Sequence, residues 1–126
     1  MWTKRKIFFD GGCRPNPGPI EAAVVLRGKT HLFDNLGSGN NADAEWLALI
    51  CALEVSESAL LLGAEFIGDA LPVIRHANTI LQSGIASDAR SERFLALAEL
   101  VKPSRIRWIK REQNLAGIAL AARHPR

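Results

Sequence analysis

Three acidic residues stand where the chain changes character. Asp10 follows the apolar run Ile7-Phe8-Phe9 and precedes Gly11-Gly12, Asp69 follows Phe66-Ile67-Gly68, and Glu45 stands early in the segment that begins near Asn41. Carboxylates gathered from distant parts of a chain repel, and each then resists ionising. A hard divalent cation reverses that cost, and Mg²⁺ prefers oxygen ligands. Two such ions about 3.5–4 Å apart can clamp the attacking and leaving oxygens of a phosphodiester. On this reading the glycines after Asp10 leave room for a phosphate backbone, and Pro15, Pro17 and Pro19 stiffen the loop. Each acid also has a plainer reading. An Asp before Gly-Gly is a common turn residue, Glu45 suits the positive end of a helix, and Asp69 can cap a helix starting near Leu71. Spacing alone does not decide between the two.

The elements that must position these acids are legible from hydrophobic periodicity. Residues 6–9 form a short apolar run bounded by glycine, which predicts a buried strand. Residues 21–27 predict a second strand, Gly28-Lys29 a turn, and residues 30–36 a weaker third strand, together a hairpin meander. Trp46, Leu49, Ile50, Leu53 and Leu60 follow helical spacing from a start near Asn41 or Ala42 to a stop at Gly63. Residues 65–67 predict a strand that leads to Gly68-Asp69. Pro72 suits the first turn of a second helix with Val73, Ala77, Ile80 and Leu81 on one face, ended by Gly84. Phe94, Leu97, Ala98 and Val101 mark a third helix closed by Pro103. Residues 105–109 alternate basic and apolar as a half-exposed strand, and residues 114–123 form a last, alanine-rich helix.

The order is therefore βββ, α, β, α, α, β, α. A strand–helix–strand crossover makes its two strands parallel neighbours. Ligands of α/β sheets sit beyond the carboxyl ends of such strands, which is where Asp10 and Asp69 fall. The expected architecture is an α/β fold with a mixed five-stranded sheet, the three-strand antiparallel meander plus parallel strands, and helices on both faces.

At 126 residues, 48% of them apolar, the chain has the length of one domain spanning 1–126 and enough apolar material for one core. A net charge of +3 is compatible with a polyanionic partner. The basic residues crowd at Lys102, Arg105, Arg107, Lys110 and Arg111, with Arg123 and Arg126 beyond. That cluster is equally a soluble strand edge or a phosphate-neutralising stripe. No segment approaches the ~20 apolar residues of a membrane span, and the run after Lys4–Lys6 is too short for a secretory signal. Cys13 and Cys51 lack metal-like spacing and read as reduced thiols, which suits a cytoplasmic protein.

Four segments resemble one family. DGGCRPNPGP is similar to the first-strand motif of ribonuclease H, type 1, NNADAEWLALICAL to the loop and helix carrying its conserved glutamate, FIGDALPVI to its strand-then-aspartate segment, and WIKREQNLAGIALA to its closing motif. The segments occur in the family's order and cover essentially the whole chain. The resemblance implies the ribonuclease H-like fold and cleavage of the RNA strand of RNA–DNA hybrids with two Mg²⁺ or Mn²⁺ ions. It carries metal binding and catalysis onto Asp10, Glu45 and Asp69. It carries contact with the hybrid backbone onto Asn16 and Asn41, and places backbone N–H groups of Gly11, Gly12 and Cys13 near a 2′-hydroxyl or phosphate, the group by which RNA differs from DNA.

The chain departs from the pattern at telling places. The family's fourth metal carboxylate falls on Ile118, counted forward from Asn114 or back from Leu120-Ala121. Three carboxylates supply −3 against the +4 of two Mg²⁺ ions, so the second ion is expected to be weakly held and activity to be weak. Glu112 and His124 are nearby substitutes out of register. Ala70 follows the third carboxylate where serine is usual, Leu71 comes next where a polar base-reader is usual, Ala42 stands in register for an asparagine, and Glu21 for a glycine. These losses leave a second expectation open: an inactive ribonuclease H-like domain that binds nucleic acid or a protein partner. Of the other candidates, Asp43 reads as a solvated first-turn acid, His31 and His76 as surface or packing residues, Trp46 and Trp108 as core, and Trp2 as part of a disordered terminus or a base-stacking residue.

Overall fold

The structure, a computed structural model, describes residues 1–124. Arg126, the last of the basic residues noted above, and Pro125 lie outside the described residues. The elements run β1 (Lys6–Cys13), β2 (Gly18–Leu26), β3 (Lys29–Phe33), β4 (Ser38–Gly39), α1 (Asn41–Ser58), β5 (Glu65–Gly68), α2 (Leu71–Ser83), α3 (Ala89–Val101), β6 (Arg105–Trp108) and α4 (Leu115–Ala122), with a 3₁₀ turn at Arg111–Gln113 before α4.

The fold is α/β, and the sheet is mixed, as expected. Its order is β3-β2-β1-β5-β6, antiparallel from β3 to β1 and parallel from β1 to β6. The expected five strands gain a sixth, the two-residue β4, which pairs with the start of β2 through Gly18 and Gly39. A strand this short carries no periodic signal.

Apolar alternation sorts the layers. Ile7 and Phe9 of β1, Ala22 and Val24 of β2 and Phe66 of β5 face one side, where α1, α2 and α3 cover them with Leu49, Leu53, Val73, Ile74, Phe94 and Leu97. Phe8, Ala23 and Val25 face the other side, where Ala116 and Leu120 of α4 close a smaller core. The helix α1 begins with a capping box, in which Asn40 Oδ1 accepts from Asp43 N–H and Asp43 Oδ2 from Asn40 N–H, both at 2.9 Å. Asp43 also pairs with Arg90 at 3.1 Å, so it is a structural cap rather than a merely solvated acid. As expected, Pro72 sits in the first turn of α2 and Gly84 ends it at φ +70°.

Four expectations need correction. β1 does not stop at Phe9. Its pairing with β2 continues through Asp10↔Ala23 to Cys13↔Ile20, while its pairing with β5 ends at Phe8↔Ile67. Asp10 is thus an interior strand residue at the point where β1 leaves its parallel neighbour. The helix α1 ends at Ser58, and Leu60 is 77% exposed with φ +56°, because the chain must turn there to bury Leu61 instead. Trp108 is 44% exposed rather than core: it ends the edge strand, and its indole N–H donates to the Asp69 carbonyl at 3.1 Å. Trp46, by contrast, is buried, packed edge-on with both Phe94 and His76. Trp2 is not frayed but bridges to Leu62.

Candidate active site

The divergence of β1 from β5 opens a cleft of about 630 Å³ at the carboxyl ends of the parallel strands. Asp10 enters it from β1, Asp69 from the residue after β5, and Glu45 from the first turns of α1. One carboxylate oxygen from each lies within 4.8 Å of the other two. Among the described residues this is the group of three or more potential metal ligands that the fold assembles.

Gly11 explains how Glu45 arrives. A side chain at Gly11 would collide with the Ala44 carbonyl oxygen, so the strand accepts α1 in direct backbone contact only because Gly11 has none. The Gly11 N–H then donates to Glu45 Oε1 at 3.1 Å. In this structure the Gly11 N–H therefore serves the neighbouring carboxylate. At Gly12 a methyl would meet Leu120 Cδ2 of α4 at 3.8 Å, an ordinary contact. Cys13, Asn16 and Asn41 meet at the rim: the Cys13 Sγ lies 3.3 Å from Asn41 Oδ1 and 3.5 Å from Asn16 Oδ1, with one thiol proton to give to either. Both amide NH₂ groups stay available as donors.

Asp69 is held by a residue that periodicity alone does not single out. Asn114 is fully buried, and its Nδ2 donates to Asp69 Oδ2 at 2.9 Å and to the Phe9 carbonyl at 3.0 Å. Its Oδ1 caps α4 by accepting from Ala116 N–H at 3.1 Å. One amide thus ties β1, the end of β5 and the start of α4. The available signal was an asparagine immediately before an alanine-rich helix, which predicts a cap but not its reach to Asp69.

The electrostatics are those of crowded acids. Burial, with the Asp69 charge adding to it, pushes the Asp10 carboxyl up to about 6, although the hydrogen bond with Glu45 and the charge of Arg111 act against the rise. Burial and the adjacent Asp10 charge raise Glu45 well above the usual carboxylate range. Glu45 is 7% exposed, and its Oε2 is buried with no partner beyond the proton the crowded Asp10 carboxyl can share with it. Such an atom is costly unless something binds it. Gly117 on α4 leaves matching space: a methyl there would lie 3.4 Å from Asp10 Oδ2 and 3.6 Å from Asp69 Oδ2. Three crowded carboxylates that resist ionising, with room for one more small group beside Gly117, suit an oxygen-seeking divalent cation.

Ile118 lines the same cleft at 54% exposure and brings no oxygen. Neither substitute replaces one there. Glu112 lines the cleft from the 3₁₀ turn, and His124 Nε2 is paired with Glu21 Oε2 at 2.6 Å, while Arg123 holds Glu21 Oε1 at 3.0 Å. Cys13 and Cys51 are free and buried, and among the described residues no helix is long and apolar enough to cross a membrane.

No family model matches the chain, and neither does any curated protein. Solved structures do. The chain is similar to RNase H1 from the halophilic archaeon Halobacterium salinarum NRC-1 at 26% identity, covering 95% of this chain and 99% of that one with a TM-score of 0.69. It is similar to LC11-RNase H1, isolated from compost by a metagenomic approach, in a further structure at 29% identity over 88% and 87% of the two chains, TM-score 0.63. The structure of LC11-RNase H1 in complex with an RNA/DNA hybrid is 30% identical over 89% of each chain, TM-score 0.66. With that identity across nearly nine-tenths of its length, this chain belongs to the ribonuclease H family, type 1.

Proposed function

We propose that the protein is a divalent-metal-dependent endonuclease that hydrolyses the RNA strand of RNA–DNA hybrids. The observation that carries the reading is the convergence of Asp10, Glu45 and Asp69, one carboxylate oxygen of each within 4.8 Å of the other two. These three side chains would hold Mg²⁺ or Mn²⁺. When bound, the metal would supply an activated water and polarise the phosphodiester.

The chain's own residues do the positioning. Gly11 N–H fixes one oxygen of Glu45. Asn114 fixes Asp69 from behind. Asn41 lines the cleft and Asn16 stands beside Cys13 at its rim, and their amides would donate to a sugar–phosphate backbone, where a 2′-hydroxyl distinguishes RNA. Gly12 and Cys13 lend backbone at the same rim. Arg111 lines the cleft and offsets some of the negative charge. Three carboxylates leave two divalent ions incompletely neutralised, so the second ion is weakly held and turnover slow. The hybrid recorded on LC11-RNase H1 supports the choice of substrate.

Ile118 favours a second reading, a domain that binds nucleic acid without cutting it. A labelled RNA–DNA hybrid with Mg²⁺ or Mn²⁺ decides. Cleavage that Asp10→Asn abolishes and Ile118→Asp accelerates supports the nuclease. Hybrid binding without cleavage at any metal concentration, with Ile118→Asp equally inert, leaves the binding domain.

A further inference from the structure

The end of the sheet away from the carboxylates is basic. The amino ends of β1 and β6, the segment before β1 and the β2–β3 turn meet there, and they carry Lys4, Arg5, Lys6, Arg27, Lys29 and Arg105, all exposed. Lys102 at the end of α3 joins them. Acids do little to neutralise this pole. Glu65 is taken by Arg107 at 2.9 Å, and Glu99 reaches Lys102 at 3.7 Å in open solvent. Among the described residues the first six cations have no ion-pair partner within 4.0 Å. Gathered like charges favour a polyanion.

Trp2 stands in this pole. It is 69% exposed, yet its backbone is held. Thr3 N–H donates to the Leu62 carbonyl at 2.8 Å, Leu62 N–H to Met1 at 2.6 Å and Glu65 N–H to Arg5 at 3.0 Å. The indole lies on Gly63, where a methyl would come within 2.7 Å of the ring. Lys4, Lys6, Lys102 and Ser104 line the same shallow depression as the ring. An aromatic face fixed in solvent among ammonium groups is the arrangement that takes single-stranded nucleic acid, a base on the ring and phosphates on the cations. A duplex keeps its bases inside and offers the ring no face to stack on. The pole is also separate from the cleft: Lys6 and Asp10 are four residues apart on β1, about 13 Å along an extended strand.

We propose that this pole is a second nucleic-acid surface, which binds a single strand by stacking a base on Trp2 and seating its phosphates on Lys4, Lys6 and Lys102. It does not rest on the catalytic reading. The test uses the full chain in EDTA with a fluorescent oligo(dT) of about 12 nucleotides, within the usual range of site sizes. Binding without divalent ions is expected, and Trp2→Ala weakens it roughly 5- to 150-fold. Trp2→Phe retains most of it, which separates stacking from any loss of folding. Lys4→Glu combined with Lys102→Glu lowers the slope of log affinity against log salt by about 1.4. Undiminished binding by Trp2→Ala overturns the proposal. So does loss of binding in Arg111→Ala, which would put the strand in the cleft, and so does binding to phosphatidylserine vesicles with none to the oligonucleotide.

Discussion

Asp10 and Glu45 are carboxylates that the fold keeps from ionising freely. Their raised pKa values set a definite pH dependence for the metal-free protein. A carboxyl whose folded pKa lies above its unfolded value favours folding while it is protonated, and that contribution is lost as pH rises from 3.8 toward about 6. Asp10→Asn removes the ionisable group while keeping its shape. In EDTA at neutral pH the variant should be more stable than the parent, by on the order of 1–3 kcal/mol. The advantage should vanish as pH falls to about 4. Urea denaturation of both proteins across that range measures it, and a constant difference would show that the site does not resist ionisation. Asn114 sits behind the third acid, Asp69, with three hydrogen bonds and no exposure. Asn114→Ala strands a buried carbonyl and removes a cap, so it should cost about 2–4 kcal/mol. Asn114→Ser, which restores an acceptor at the cap, should recover roughly 1 kcal/mol, and equal stabilities would place the cap's contribution near zero.

At the scale of elements, the site depends on α1 and α4 approaching β1 from opposite faces. The two glycines at these contacts have different jobs. Gly11 lets α1 touch the strand, whereas Gly117 holds a space open beside Asp10 and Asp69. A methyl at 117 meets its neighbours at ordinary contact distance, so Gly117→Ala should fold well. Helix propensity should raise its stability in EDTA by about 0.5–1 kcal/mol. The same methyl occupies the cation's cradle, so Mg²⁺ or Mn²⁺ binding by calorimetry should weaken. Opposite signs in the two measurements are the expected outcome, and unchanged metal affinity would put the cation elsewhere.

Across the whole molecule, the three acids come from β1, the end of β5 and α1, so a cation binds them together only in the folded chain. A ligand of that kind stabilises by mass action, by about 2.7 kcal/mol at a hundred times its dissociation constant. Mn²⁺ should therefore raise the midpoint of thermal unfolding in a concentration-dependent way, and Asp10→Asn should abolish the rise. A midpoint insensitive to Mn²⁺ in both proteins would argue against a cation site. Charge is also segregated along the sheet, with acids where the parallel strands end and unpaired cations where they begin. A net charge of +3 conceals that arrangement.

Much of this was legible in the chain alone. Apolar period distinguished strands from helices, because residues that face a core must recur at the repeat of their element. Proline and glycine marked the start and end of α2, and short motifs around Asp10, Glu45, Asp69 and Asn114 named the family. Other features came only from tertiary structure. Whether Gly11 faces a ligand or a helix, whether Trp108 is covered, and whether Asn114 reaches Asp69 all depend on which elements are neighbours in space. Periodicity reports which face a residue takes, but not what lies opposite it. The extent of β1 was hidden for the same reason: Asp10, Gly11 and Gly12 have poor strand propensity, and it is pairing with β2 that keeps them extended.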